Sequence, residues 1–160
     1  MTSERSPAAA DVDAKCAIDR LVASFFGLFS NRGGVVPDLN AIFELFIAEG
    51  IVSKCVAVPP EVSTLEAFIA PRRELLSNGR LKEFEEHETA ERTLILGNVA
   101  QRVSGYTKSG VLNGMPFSTR GVKLFQFVRT DGGWRIASVA WDDERAGFSG
   151  ESLTQAVRED

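Results

Sequence analysis

The sequence holds one histidine, one tyrosine and two cysteines in 160 residues, and each scarcity removes a class of chemistry. Cys16 and Cys55 form no CxxC pair, and with a single histidine no Cys/His zinc set of ordinary spacing can be assembled. Both cysteines read as buried free thiols. No run approaches the ~20 apolar residues of a membrane span, and the opening MTSERSPAAADVDAK lacks the apolar run of a secretory signal. A cytoplasmic protein is the expectation. A basic stripe is missing too. The formal net charge is −4, and Arg72-Arg73, Arg80, Lys82, Arg92 and Arg102 are interleaved with acids. Nucleic-acid binding needs clustered cations to displace counterions from phosphates. No nucleic-acid partner, no membrane and no cofactor or metal is expected.

What is present is apolar and rich in phenylalanine. Apolar residues make up 44% of the chain, and 11 Phe stand against one Tyr and two Trp. Phe has no polar tip, so this bias points to a large dry interior. The length fits one domain. Residues 1–10 read as a disordered tail, 11–145 as the domain and 146–160 as a polar tail. Asp11 or Asp13 is placed to cap a helix carrying Ile18, Leu21, Val22, Phe25, Phe26, Leu28 and Phe29. Pro37-Asp38 opens a second helix through Leu39, Ile42, Phe43, Leu45 and Phe46, which Ala48-Glu49-Gly50 breaks. Ile51 to Val58 reads as a short strand closed by Pro59-Pro60. Ser63-Thr64-Leu65-Glu66 has capping-box form and opens a third helix to about Ser77, with Pro71 predicting a kink or break. From Leu81 the period falls to two, with strands at roughly 82–95, 98–108, 117–130 and 133–143. Helices first and strands after is an α+β order: about three N-terminal helices packed against a curved antiparallel sheet.

Hairpin arithmetic assigns the faces. A turn at Gly97-Asn98 pairs Thr93 with Arg102, Glu91 with Ser104 and Thr89 with Tyr106. One face then carries His87, Thr89, Glu91, Thr93, Arg102, Ser104 and Tyr106, and a bulge would swap these locally. A turn at Asp131-Gly132 pairs Phe127 with Ile136, Phe125 with Ser138, Lys123 with Ala140 and Arg120 with Asp143. Val122, Leu124, Val128, Val139 and Trp141 fall on the opposite face. Both faces of this hairpin are apolar and both must be covered. The helices cover one, and a second copy of the chain covers the other, so a homodimer through the outer sheet face is expected.

The segments GGWRIASVAWDDE (from Gly132) and GNVAQRVSGY (97–106) resemble the last strand and the penultimate hairpin of the nuclear-transport-factor-two-like superfamily. The similarity covers roughly residues 12–145 and is nearest to its SnoaL-like bacterial members with no assigned reaction. The resemblance implies a cystatin-like cone in which a bent sheet wraps the first helix around a pocket. It also implies a homodimer, and a function among isomerases, cyclases, dehydratases, hydrolases and non-catalytic binding modules. One fold hosts many chemistries, so the motifs specify fold and not reaction. The catalytic Asp of the ketosteroid isomerases has no match here, where Glu49 and Ser53 are the only polar candidates in that region besides Lys54. The Asp-Arg-Asp set of the epoxide hydrolases has no place either.

The candidate site follows. Glu91, with Tyr106 as donor, is equipment for moving a proton next to a carbonyl: the carboxylate abstracts and the phenol stabilises the enolate. The other reading of Glu91 is a cross-strand ion pair with Arg102. Asp142, at the end of the last strand, is a candidate base or polar anchor. Arg102, Trp141, Phe25, Phe29, Phe43 and Phe46 are the candidate substrate-binding residues for a small apolar or aromatic ligand. His87 is either a general base or acid beside Glu85, Glu86 and Glu88, or an exposed strand histidine.

Overall fold

A computed structural model of the chain describes residues 7–150, with side chains from Ala10 onward. Helix α1 spans Pro7–Gly27. It starts at Pro7, so Pro7–Ala10 is helical and Asp11 and Asp13 lie inside the helix and do not cap it. Residues 1–6 and 151–160, most of the expected tails, lie outside the described residues.

The second helix is much shorter than expected. A 3-10 turn at Leu39–Ala41, capped by Asp38 onto the Asn40 amide, runs into the single turn α2, Ile42–Leu45. Phe46 already belongs to strand β1, Phe46–Lys54. A Cβ on Gly50 would stand 2.7 Å from the Phe46 ring, so glycine is what lets β1 bulge between Phe46 and Ile51. The chain turns back through β2, Glu61–Thr64, a strand the sequence reading omitted. Helix α3, Leu65–Leu75, is capped by Thr64, whose hydroxyl accepts from Ala67 N at 3.2 Å. The capping box was therefore read one residue early: Ser63 lies in β2, and Glu66 pairs with Arg73 instead. The helix runs through Pro71 without a break.

Four long strands follow: β3 Leu81–Leu96, β4 Val99–Leu112, β5 Met115–Thr130 and β6 Gly133–Asp143. They form a meander, and the whole sheet has the order β2-β1-β6-β5-β4-β3. The expectation of a purely antiparallel sheet is corrected, because β1 runs parallel to β6. Such pairing needs a crossover, and the chain from β1 to β6 supplies it through α3 and the meander. Asn113-Gly114, with φ of 50° and 81°, forms the turn between β4 and β5 and extends both strands beyond their expected ends.

Helix α1 lies against β3 and β6, and α3 against β1. Phe25 sits at the centre of the core, edge-on to Phe26, Phe29 and Phe125 at centroid distances of 6.0, 5.6 and 5.4 Å. The excess of Phe is spent here, as a dry aromatic interior. Cys16 is exposed on the solvent side of α1 and Cys55 is half-buried, so the expected burial of the thiols is corrected.

Candidate functional site

Two one-residue bulges decide which side chains meet on the helix-facing side of the sheet. The expected pairs Glu91–Ser104 and Thr93–Arg102 are present, but Tyr106 faces Glu88 because Thr89 is an extra residue in β3. Glu88 and Glu86 therefore turn inward and His87 turns outward. His87 is exposed, with Glu85 at 3.2 Å. The second shift is at Ala137. Beyond it, Phe125 pairs with Val139 and Lys123 with Trp141, so Val139 and Trp141 join the inner face that the unshifted register denied them. Asp143 pairs with Gly121, not with Arg120.

The inner face carries two separate polar groups. The first surrounds Arg102, which is 4% exposed. Its guanidinium donates to Glu88 through Nε and Nη2 at 3.0 and 2.5 Å and to Asp19 at 2.6 Å, and Glu91 lies at 3.6 Å. Glu88 also accepts from the Ser104 hydroxyl at 2.5 Å. Glu91 is held in addition by Lys15 at 2.9 Å and Thr93 at 2.6 Å. Burial alone would raise the Glu91 carboxyl; the hydrogen bonds from Thr93 and Lys15, with the charges of Arg102 and Lys15, outweigh it and hold the pKa below the usual carboxylate range. A carboxylate so stabilised is a poor base. Glu91 does not line the cavity that Lys123 and Glu86 face.

The second group lies around Lys123. Its side chain is 3% exposed, and its ammonium is 3.4 Å from Glu86, itself 8% exposed. The Nζ sits 4.1 Å from the centroid of the Tyr106 ring and 4.3 Å from that of Trp141. Burial pushes the Lys123 pKa down from the ordinary lysine value, the Lys108 charge adds to that, and Glu86 opposes it. Tyr106 is fully buried, and its hydroxyl donates to Asp143 Oδ1, which also receives Lys108 at 3.1 Å. Burial and the Asp143 contact push the phenol pKa up, so Tyr106 stays a neutral donor already engaged by Asp143. Gly121 permits this: a Cβ there would stand 2.4 Å from both the Tyr106 hydroxyl and the Asp142 carbonyl.

Lys123 and Glu86 face a cavity of about 260 Å³. Its walls are Phe25 of α1 and Phe29 just beyond it, Phe68, Arg72 and Leu75 of α3, and Trp141, Lys108 and Lys54 of the sheet. Leu81, Phe84 and Phe117 close the side near the β4–β5 turn. One water needs only about 10–15 Å³ of such space, so the interior is not filled by its own side chains.

Of the residues expected at the site, Phe25, Phe29 and Trp141 line this cavity. Phe46 is buried against Phe25, at 6.0 Å, outside the lining, and Phe43 is 46% exposed on the surface. Arg102 and Glu91 stand in the other polar group, and Asp142 is engaged by Arg145. The structure thus does not bring Glu91, Tyr106 and Asp142 together. Lys123, Glu86 and Arg72 were missed. Lys123 had a signal: it alternates with Phe125 and Phe127 and so falls on their core-facing side. Arg72 had one too, four residues from Phe68 on the same helix face. Glu86 had none, because its inward turn depends on the Thr89 bulge.

No protein-family model matches the chain, and no curated protein matches it. Solved structures do. A nuclear transport factor 2 (NTF2-like) superfamily protein from Salmonella enterica serovar Typhimurium aligns with a TM-score of 0.71 over 88% of this chain and 98% of its own, at 16% identity. The chain has the NTF2-like fold. An NTF2-like protein with a cystatin-like fold from Novosphingobium aromaticivorans covers 96% of the chain and 98% of its own length, at TM-score 0.69 and 18% identity. A hexachlorocyclohexane dehydrochlorinase of LinA type 3 from Novosphingobium barchaimii gives TM-score 0.65 at 14% identity, over 86% of this chain and 94% of its own. At these identities the likeness is one of fold. No helix among the described residues is long and apolar enough to cross a membrane.

Proposed function

We propose that this NTF2-like domain binds a small apolar or aromatic molecule in the cavity between α1, α3 and the sheet, and that Lys123 and Glu86 are its proton-transfer couple. The observation that carries the reading is a buried lysine and a buried glutamate, 3.4 Å apart, at the wall of an aromatic cavity. Large apolar pockets with a few convergent polar groups are the ordinary form of a ligand site. Burial favours the neutral amine, and a neutral amine is the form that abstracts a proton. Lyase or isomerase chemistry at a carbon next to an electron-withdrawing group needs such a base. The dehydrochlorinase among the fold neighbours is an instance of the fold serving an elimination. Tyr106 and Trp141 hold the lysine between their rings and shield it from water. Titration with 2-acetylnaphthalene, followed by the ring and methyl signals of Phe29, Phe68, Leu75 and Trp141, tests the reading. Shifts confined to these residues, lost in Leu75→Trp, are expected. Shifts confined to the outer sheet face would overturn it.

A second reading, a non-catalytic homodimeric module, is favoured by the outer face. Leu94, Leu96, Val99 and Leu124 stand there between 47% and 61% exposed on adjacent strands. An apolar patch of this kind on a sheet asks for a cover, and a second copy of the chain is the cover we propose. Light scattering at micromolar concentration should give twice the chain mass, and Val99→Lys with Leu124→Lys should halve it. A monomeric mass for the unmodified protein would remove this reading.

A further inference from the structure

The cavity wall is charged in a lopsided way. Lys54, Arg72, Lys108 and Lys123 line it, against Glu86 as the single acid among the described residues. Lys108 is matched by Asp143 and Lys123 by Glu86. Arg72 and Lys54 have no carboxylate within ion-pair distance among the described residues; Glu61 and Glu86 act on Arg72 only from farther away. The Arg72 guanidinium lies 3.7 Å over the Phe68 ring, and its Nη1 donates to the Phe68 carbonyl at 2.9 Å. That contact fixes the plane of the fork, and among the described residues the Nε and Nη2 donors have no protein acceptor. Desolvation lowers the Arg72 pKa, as expected for a cation withdrawn from water with no anion beside it.

A planar guanidinium with free donors is built for bidentate recognition of a carboxylate. We infer that the ligand of this cavity is an aromatic monocarboxylate, its carboxylate held by Arg72, with Lys54 supplying the second unmatched charge of the wall. The inference rests on the reading of the cavity as the ligand site. The ring system lies against Phe29, Phe68 and Trp141, and its far edge meets the Lys123 amine. The volume is close to the lower end of ligand cavities, about 300 Å³, which suits one or two rings. Glu86 and Asp143 already have lysine partners, so a further carboxylate entering the cavity meets the unmatched Arg72 and Lys54 and no unmatched acid.

The test compares two probes of nearly equal shape, 2-naphthoate and the neutral 2-acetylnaphthalene, by Trp fluorescence in the full chain. Naphthoate should bind roughly ten- to a hundredfold more tightly, the effect of a charged hydrogen-bond pair. Arg72→Met should remove that preference, weakening naphthoate about ten- to a hundredfold and acetylnaphthalene, whose ketone is only a neutral acceptor, by much less. Arg72→Lys, which keeps the charge without the fork, should restore part of it, and Lys54→Met should weaken naphthoate by a few fold. Unchanged thermal melts report that each variant folds. Equal affinity for the two probes, or an equal loss of both in Arg72→Met, would overturn the carboxylate inference and leave the cavity reading standing. Binding of neither probe to the unmodified protein would overturn both.

Discussion

Arg102 and Lys123 project from adjacent strands onto the same face of the sheet, two residue pairs apart in register, and both are nearly fully buried. Their surroundings differ in kind. Arg102 is enclosed by Glu88, Asp19 and Glu91, with Ser104 and Thr93 filling the remaining hydrogen-bonding positions. Lys123 has one carboxylate at 3.4 Å, two aromatic rings and an open cavity. A buried cation costs several kcal/mol of desolvation, recovered only with good geometry and full hydrogen bonding. Around Arg102 that recovery is complete, and the group reads as structure. Around Lys123 it is partial, and that contrast is what supports the proposed proton-transfer role.

The contrast can be broken by removing each cation. Arg102→Met leaves Glu88, Asp19 and Glu91 together without their centre, and we expect a loss of about 3–5 kcal/mol in urea unfolding. The matched change at the other site, Lys123→Met with Glu86→Leu, replaces a buried pair by apolar volume. It should be neutral or stabilising by up to about 4 kcal/mol. A large loss there would make the Lys123 pair structural and erase the distinction. Gly121→Ala drives a methyl into the Tyr106 hydroxyl and the Asp142 carbonyl. A loss of about 1–3 kcal/mol is expected, together with weaker ligand binding, because the ring covering Lys123 must move.

A finer separation comes from pH. The Asp19 and Glu91 carboxyls lie below their ordinary values despite burial, through Lys15, Arg102 and, at Glu91, Thr93. Their contribution is present above the unfolded carboxylate pKa and is lost as pH falls through the lowered folded values. Lys123 behaves oppositely. Its folded pKa is lowered, so between that value and the unfolded one of about 10.4 the unfolded chain binds the extra proton, and stability rises with pH. Melting temperature against pH should lose part of its acid limb in Glu91→Gln and its alkaline rise in Lys123→Met. The smallest effect is expected at exposed His87: His87→Ala should change stability by less than about 0.5 kcal/mol and leave binding intact.

Much of the fold was legible because period and turn chemistry are local. The Gly97-Asn98 and Asp131-Gly132 turns set registers that hold for several residues on either side, and α1 carries its apolar stripe as written. The site was far less legible, for a physical reason. A strand alternates sides with period two, so one extra residue reverses every assignment beyond it. Thr89 and Ala137 are such residues, and neither is marked by Gly or Pro. Past them Glu86, Glu88, Val139 and Trp141 turn inward and His87 turns outward. The bulge at the start of β1 depends likewise on the close approach of Gly50 to the Phe46 ring, which no local pattern records.

The account stands or falls on the state of the Lys123 amine. Competitive acetylation of the full chain across pH, read residue by residue by mass spectrometry, gives that amine's titration beside an exposed lysine such as Lys82. Lys123 should gain half its reactivity at lower pH than Lys82, and 2-naphthoate should protect Lys123 and Lys54 and leave Lys82 unprotected. A Lys123 that titrates with the exposed lysines, or that the ligand leaves unprotected, would contradict it.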